Sequence, residues 1–383
     1  MAIYELILLG VRDAGRDEQL LGAMKVALAD YQLALGEEFL VLESGQLSQS
    51  EGKATRLALY FGGAPDRDVA QVDHLEDQKV PVIPVLASEA DVQLSIPETL
   101  RSVNAQFLDG DNGIDSLVAT ILEGLGLLRQ QRRIFVSYRR TESRDVAVQL
   151  HDELSARGFD VFLDTHDIRP GDPFQEMLWH RLADCDVVIM LDTPGYFDSK
   201  WTVQELGRTL SKGILVLRIV WPTHLPTRLL DLSETVQLQT ADMHEDRLVP
   251  EMITEVARRT ERLRSRSVAT RHLDLAGRMC LEIERIGGKV EGIGAFRAIA
   301  ATLPNGLELQ AYPAVGVPTA ELLHDIEERA RKMARGRFPC VVYDERGIRP
   351  AWIEHLKWLD AKIRDVRALK IYDAAWELAE WDS

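Results

Sequence analysis

The sequence predicts an α/β protein of three consecutive units, the central one a doubly wound parallel sheet. Short, continuous apolar runs such as YELILLG (Tyr4–Gly10), DVVIMLD (Asp186–Asp192) and PCVVYDE (Pro339–Glu345) recur along the chain. Unbroken runs of this kind mark strands covered on both faces rather than half-exposed ones. Helical patterns separate them, which is the alternation of a parallel sheet flanked by helices. The 383 residues are too many for one ordinary core, so the alternation is shared among several units.

The first unit, 1–130, alternates YELILLG, a helix about Glu18–Leu35, EFLVLE, LALYFGG and VPVIPVLA, and a short helix opened by Pro97. The second, 131–250, has cleaner punctuation. RIFVSY is a strand, and the helix Ser143–Arg157 stops at Gly158, the residue type that ends helices at no steric cost. Then come FDVFLD, a helix Pro173–Ala183, DVVIMLD, a helix around Trp201, and GILVLRIVW. In such sheets ligands bind beyond the carboxyl ends of the strands. Tyr138, Arg139, Asp164 and the residues after Leu191 are expected to line one crevice.

A polar, arginine-rich stretch, 251–271, reads as a helical connector, and its run Arg258–Arg266, interspersed with Glu255 and Glu261, reads as a solvated helix face. The last unit, 272–383, continues with a helix Leu273–Ile286, KVEGIG, LELQAYPAVG, a helix Thr319–Ala334, PCVVYDE, a helix Ala351–Val366, ALKIYD and a closing helix. Gly292 and Gly294 form half of a dinucleotide fingerprint, for which a turn is the simpler account. The polar cluster Tyr343–Gly347 falls at a strand end, where loops collect ligand contacts, and equally fits a strand cap with a tight turn.

Composition narrows the function classes. A net charge of −16 argues against a general nucleic-acid or anionic-membrane binder, because the summed field repels phosphate. The longest apolar runs fall short of the ~20 residues a spanning helix needs, and the N-terminus lacks the basic lead of a secretory signal. Cys185, Cys280 and Cys340 keep no metal spacing and read as buried small hydrophobes in a reducing cytoplasm. A cytoplasmic protein with no bound metal is the expectation.

Three motifs carry the chemistry: RRIFVSYRR (Arg132–Arg140), FLDTHDIRPGDPF (Phe162–Phe174) and DSKWTVQEL (Asp198–Leu206). Trp201 and Glu205 are four apart on one helix, so their side chains share a face. A fixed carboxylate in a dry site stabilises positive charge that develops on a reacting group, such as the oxocarbenium-like charge on a sugar whose glycosidic bond breaks. The alternative for Glu205 is a solvent-facing helical residue.

In this order the motifs resemble a TIR domain of the NAD-cleaving branch, over about 90 residues. The resemblance implies a flavodoxin-like TIR fold and NAD+ as substrate, with no separate cofactor. It assigns Glu205 as catalytic, contacting the ribose hydroxyls, and places Ser137, Tyr138, Arg139 and Arg140 near the dinucleotide, where arginine pairs phosphate bidentately. The other reading of that box is that Tyr138 and one arginine cap the strand and pair with Asp164 or Asp184. Asp164, Gly171 and Phe174 match the loop after the second strand, with Gly171 giving the turn and Phe174 or a neighbour stacking on a ring. This loop departs from the NAD-cleaving pattern, carrying Asp167 where the resembling sequence has lysine and Pro173 as an added residue.

The resemblance further implies self-association through TIR–TIR contacts, and an antiviral signalling role in bacterial defence against phage, with ADP-ribose or a cyclic isomer as product. The first unit, lacking both boxes, is expected to be a silent TIR-like or receiver-like domain. A nucleotide or protein trigger is expected at the C-terminal unit, on its strand-end cluster. Two other readings stay open: a non-enzymatic adaptor that only assembles, and a hydrolase acting on another N-glycosidic bond.

Overall fold

The computed structural model describes residues 2–49, 54–88, 92–108, 113–163, 174–198, 200–226, 234–333 and 336–381, without the side chains of 48, 49, 93, 174, 200, 201 and 333. The chain divides into two compact units, 1–130 and 131–383.

The first unit contains β1 (Tyr4–Gly10), α1 (Ala14–Asp30), β2 (Phe39–Glu43), β3 (Thr55–Phe61), α2 (Val69–Asp77), β4 (Val82–Leu86), α3 (Val92–Ser95), β5 (Gln106–Phe107) and α4 (Gly113–Gly124). All pairs in its sheet are parallel, in the order β2-β1-β3-β4-β5. β1 is buried at every position, as expected of a strand covered on both faces. It ends on Gly10 at φ +79, where a side chain would meet the Phe61 carbonyl oxygen at 2.1 Å. Only glycine fits that strand end.

The second unit begins with β6 (Arg133–Ser137), α5 (Arg140–Ala156), β7 (Asp160–Leu163), α6 (Phe174–Asp184), β8 (Val187–Asp192), α7 (Lys200–Ser211), β9 (Leu215–Val220) and β10 (Glu234–Gln237). Its sheet is parallel, in the order β7-β6-β8-β9-β10. Both sheets thus have the 2-1-3-4-5 order of flavodoxin-like folds, which opens a ligand crevice where the order reverses, between the first and third strands. In the second unit that point lies between β6 and β8. The α/β class and the doubly wound central sheet follow the sequence reading.

A small hairpin of β11 (Met243–His244) and β12 (Arg247–Leu248) leads to α8 (Pro250–Arg285). The last stretch contains β13 (Lys289–Ile293), β14 (Ile299–Thr302), β15 (Glu308–Ala314), α9 (Ala320–Met333), β16 (Phe338–Tyr343), α10 (Pro350–Lys362), β17 (Arg367–Lys370) and α11 (Ala374–Ala379). The sheet order is β13-β14-β15-β16-β17, antiparallel through β15 and parallel from there to β17. Gly292 sits at a register shift within β13, opposite Ala300, so the Gly292–Gly294 pair belongs to a hairpin and not to a phosphate loop.

α8 corrects the sequence reading most. The segment expected as a connector and the helix expected to follow it form one 36-residue helix. Its N-terminal half packs Ile253, Val256, Ala257 and Leu263 into the core beneath β6–β9, and its C-terminal half packs Met279 and Ile283 under the last sheet. The arginine run is a solvated face only in part: Arg262 and Arg266 are exposed, whereas Arg264 points inward. Arg264 is fully buried, with Nε 3.0 Å from Asp186 and Nη1 2.9 Å from Glu261. Arg132 also pairs with Glu261. A helix wedged between two sheets buries residues on several sides, and its charges are tolerated only because they are paired.

Candidate functional site

Strand alternation decides what β6 offers the crevice. Successive side chains point to opposite faces. Ile134, Val136 and Tyr138 enter the core with α5 and α8, and Phe135 enters the core with α6 and α7. Ser137 falls on the Phe135 side. After β8 the chain passes through Thr193, Pro194 and Gly195 into a short turn of helix at Tyr196–Asp198, then into α7. α7 buries Thr202, Glu205, Leu206 and Thr209, a face at helical spacing. Thr202 Oγ1 donates to the Tyr196 carbonyl at 2.5 Å, and Thr209 Oγ1 donates to the Glu205 carbonyl at 2.8 Å. The first of these bonds fixes the helix against the turn, and the second lies within the helix.

Three polar side chains meet in this buried space. Ser137 Oγ donates to Glu205 Oε2 at 2.7 Å, and its oxygen stands 2.7 Å from Tyr196 Oη. A hydroxyl has one proton, so with Ser137 donating to the carboxylate, Tyr196 donates to Ser137. Burial, reinforced by the negative charge of Glu205, raises the Tyr196 pKa and keeps the phenol protonated. Glu205 is 5% exposed. A carboxylate held this way in a nearly dry site is oriented in advance, the condition under which it best stabilises positive charge that develops nearby.

A second cluster lies at the same strand ends. Asp192, the last residue of β8, is fully buried and accepts from Arg218 Nε of β9 at 2.7 Å. Arg139 Nη1 donates to Glu142 Oε1 at 2.7 Å and lies 3.4 Å from Asp198. Glu142 Oε2 accepts the Gly195 N–H at 3.0 Å. Burial pushes the Glu142 carboxyl up, but the Thr193 side chain, the Gly195 N–H and the positive charge of Arg139 together outweigh it and hold the carboxyl below its usual range. An added Cβ at Gly195 would fall 1.3 Å from Arg139 Nη1, so the guanidinium keeps this position only against a glycine.

The residues expected at the site divide accordingly. Ser137 and Glu205 touch, and Arg139 lies at the rim. Tyr138 faces the opposite core at 4% exposure, so it does not share the crevice with Ser137. Arg140 opens α5 and is exposed. Asp164, Gly171, Asp167 and Pro173 lie outside the described residues, while Phe174 and Trp201 are placed in α6 and α7 by their backbone alone. Asp184 pairs with Arg133 at the opposite end of β6, not with Tyr138's neighbours. Asp192, Gly195 and Tyr196 belong to the stretch after Leu191 that was expected at the crevice, though without roles, whereas Glu142 and Arg218 were not foreseen. Among the described residues no group of three His, Cys, Asp or Glu could hold a metal ion, and no helix is long and apolar enough to cross a membrane.

Residues 134–253 match the family model described as TIR domain. The chain is similar to a probable 2' cyclic ADP-D-ribose synthase of Brachypodium distachyon, 29% identical over 89 residues, which are 23% of this chain and 40% of that protein. It is also similar to a 2' cyclic ADP-D-ribose synthase of Bacteroides thetaiotaomicron, 23% identical over 137 residues, 36% of this chain and 45% of that protein. The matches thus span less than half the length of these relatives. Among solved structures it is matched with a tagatose-6-phosphate ketose/aldose isomerase of Escherichia coli at TM-score 0.21 and 12% identity, covering 70% of this chain and 82% of that one. A second match is the C-terminal domain of a Francisella tularensis glucosamine-fructose-6-phosphate aminotransferase, at TM-score 0.20 and 10% identity, covering 70% and 84%. Likenesses this weak carry no argument.

Proposed function

Residues 134–253 form a TIR domain, and from that premise we propose that the protein cleaves the bond between nicotinamide and ribose in NAD+, with Glu205 as the catalytic carboxylate. The observation that carries this reading is the buried contact between Ser137 and Glu205 at the carboxyl ends of the parallel strands. The relatives' names support the same substrate class.

As the C–N bond lengthens, its electron pair leaves with nicotinamide and positive charge gathers on the ribose. Glu205 stabilises that charge, while Ser137, backed by Tyr196, keeps the carboxylate from turning away. Arg139, partly exposed beside Glu142 and Asp198, is the cation suited to the dinucleotide's phosphates. Capture of the ribose by water gives ADP-ribose, and capture by an internal nucleophile of the same molecule gives a cyclic isomer. The names of the two relatives favour the cyclic product.

Activity through self-association belongs to the same proposal, and a setting in phage defence rests on the family resemblance alone. The test is nicotinamide release from NAD+ across a range of protein concentrations, with the products separated by chromatography. A rate per subunit that rises with concentration, with a cyclic ADP-ribose isomer beside nicotinamide, is the expected result. Intact NAD+ at every concentration would favour the non-enzymatic adaptor.

A further inference from the structure

The last sheet is docked against the TIR domain within the second compact unit. The Val317 N–H donates to Asp184 at 2.9 Å, and Arg346 Nη1 donates to the Ser211 carbonyl at 3.1 Å. Between them lies a cavity of about 280 Å³. Its walls are the C-terminal end of α7, the middle of α8, the turn after β15 and the polar residues after β16. β15 and β16 are parallel neighbours, so the cavity opens beyond their carboxyl ends, the side on which α/β sheets bind ligands.

Its charge is opposite to that of the chain. Four cationic side chains, Lys212, Arg271, Arg278 and Arg346, line it against two carboxylates, Asp274 and Asp344, in a protein of net charge −16. The two carboxylates hold two of the guanidiniums in place: Asp344 grips Arg346 at 2.6 Å and Asp274 lies 3.0 Å from Arg278. The ring of Tyr372 lies against both, 5.4 Å from Arg346 and 5.7 Å from Arg278, which sets them side by side. Arg271 donates to the Cys185 and Ala183 carbonyls at 2.7 and 3.2 Å. Lys212 donates to the Asp344 main-chain carbonyl at 3.3 Å. A carbonyl orients an ammonium without neutralising it, and burial pushes Lys212 down to about 8. An anion in the cavity would relieve that cost.

We propose that this cavity binds the phosphate group of a small phosphate monoester, a sugar phosphate or a mononucleotide. Its volume is close to the lower end of the range for ligand pockets, which suits a phosphate carrying one small group. Ser211 and Thr270 add hydroxyls to the lining. Lys212 directly follows α7, the helix that carries Glu205. If the NAD-cleavage reading holds, on which this step rests, occupancy pulls on the end of the catalytic helix and changes turnover.

The test is titration calorimetry and thermal melting of the full chain with inorganic phosphate, ribose 5-phosphate and AMP, for the parent, Lys212→Gln and Arg278→Gln. At least one probe is expected to bind the parent and raise its melting temperature, and each variant to weaken that binding about tenfold, the loss of one charge-assisted bond. Preference for AMP over ribose 5-phosphate identifies the mononucleotide, and the reverse the sugar phosphate. Arg278 is partly exposed, so its variant decides the matter should Lys212→Gln fail to fold. No binding by the parent, or binding that neither variant weakens, overturns the site. Binding with no change in nicotinamide release removes the coupling and leaves the site standing. Absence of any release speaks to the NAD reading alone, since calorimetry does not depend on it.

Discussion

Ser137 Oγ donates to Glu205 Oε2 at 2.7 Å, joining the end of one strand to the middle of a helix 68 residues further on. Neither motif contains the other's partner. The fold supplies the contact by placing the end of β6 against α7, and Tyr196 completes it from the turn between β8 and that helix.

Ser137→Ala removes the donor that orients the carboxylate. A hydrogen bond to a charged group contributes about 1.5–3 kcal/mol, so nicotinamide release should fall about 10- to 100-fold. The loss should appear in kcat with KM little changed, and Tyr196→Phe should show a smaller loss of the same kind. Steady-state kinetics of both variants decide it. A rise in KM alone would place Ser137 in binding instead.

Gly195→Ala drives a methyl group into the Arg139 guanidinium and pushes it from Glu142. If Arg139 serves the dinucleotide phosphates, both Gly195→Ala and Arg139→Gln should raise KM about tenfold, with kcat close to the parent's. Equal KM values in all three proteins would remove Arg139 from substrate binding.

Arg264→Met leaves Asp186 and Glu261 buried beside no guanidinium at that position. Breaking a buried pair from one side costs about 3–5 kcal/mol. Arg258→Met, six residues earlier on the same helix, breaks only a partly exposed pair with Glu255 and should cost less than about 1 kcal/mol. Melting temperatures of the two variants should therefore separate clearly, and equal values would contradict the assignment of α8 as a buried strut.

His180 makes stability depend on pH where α6 meets the start of α10. Burial is the main cause that lowers its pKa from 6.5 to about 4, and nearby Arg349 lowers it further. Its Nδ1 faces the Arg349 N–H at 3.5 Å. Between pH 6.5 and 4 the unfolded chain binds this proton and the folded one does not, so stability falls as pH falls through that window and is level above it. The part due to His180 is on the order of 2 kcal/mol, discounted for its partial exposure. His180→Gln should flatten the melting-temperature slope over that range, and an unchanged slope would reject the assignment.

Much of the fold was legible because burial on both faces writes itself into the sequence. β1 and β8 read as unbroken apolar runs and are fully buried. Tyr138 was misplaced because a motif names residues without saying which face they take. The alternation that brings Ser137 to Glu205 sends Tyr138 the other way. Arg264 looked solvated because its partner Asp186 lies 78 positions away, beyond any local pattern. The contact between Glu142 and Gly195 was missed for the same reason, the two being 53 residues apart. Of the site, Glu205 and Ser137 were readable as residues, and the contact between them, with Tyr196 behind it, was not.

The most direct measurement is nicotinamide release from NAD+ by the parent and by Glu205→Gln, with NAD+ binding measured on the same two proteins. The account predicts that the variant binds NAD+ within a few-fold of the parent while its release falls by at least about 10³, the scale seen when a residue acting on transition-state charge is removed. Release by Glu205→Gln at the parent's rate would contradict the account, whatever the product.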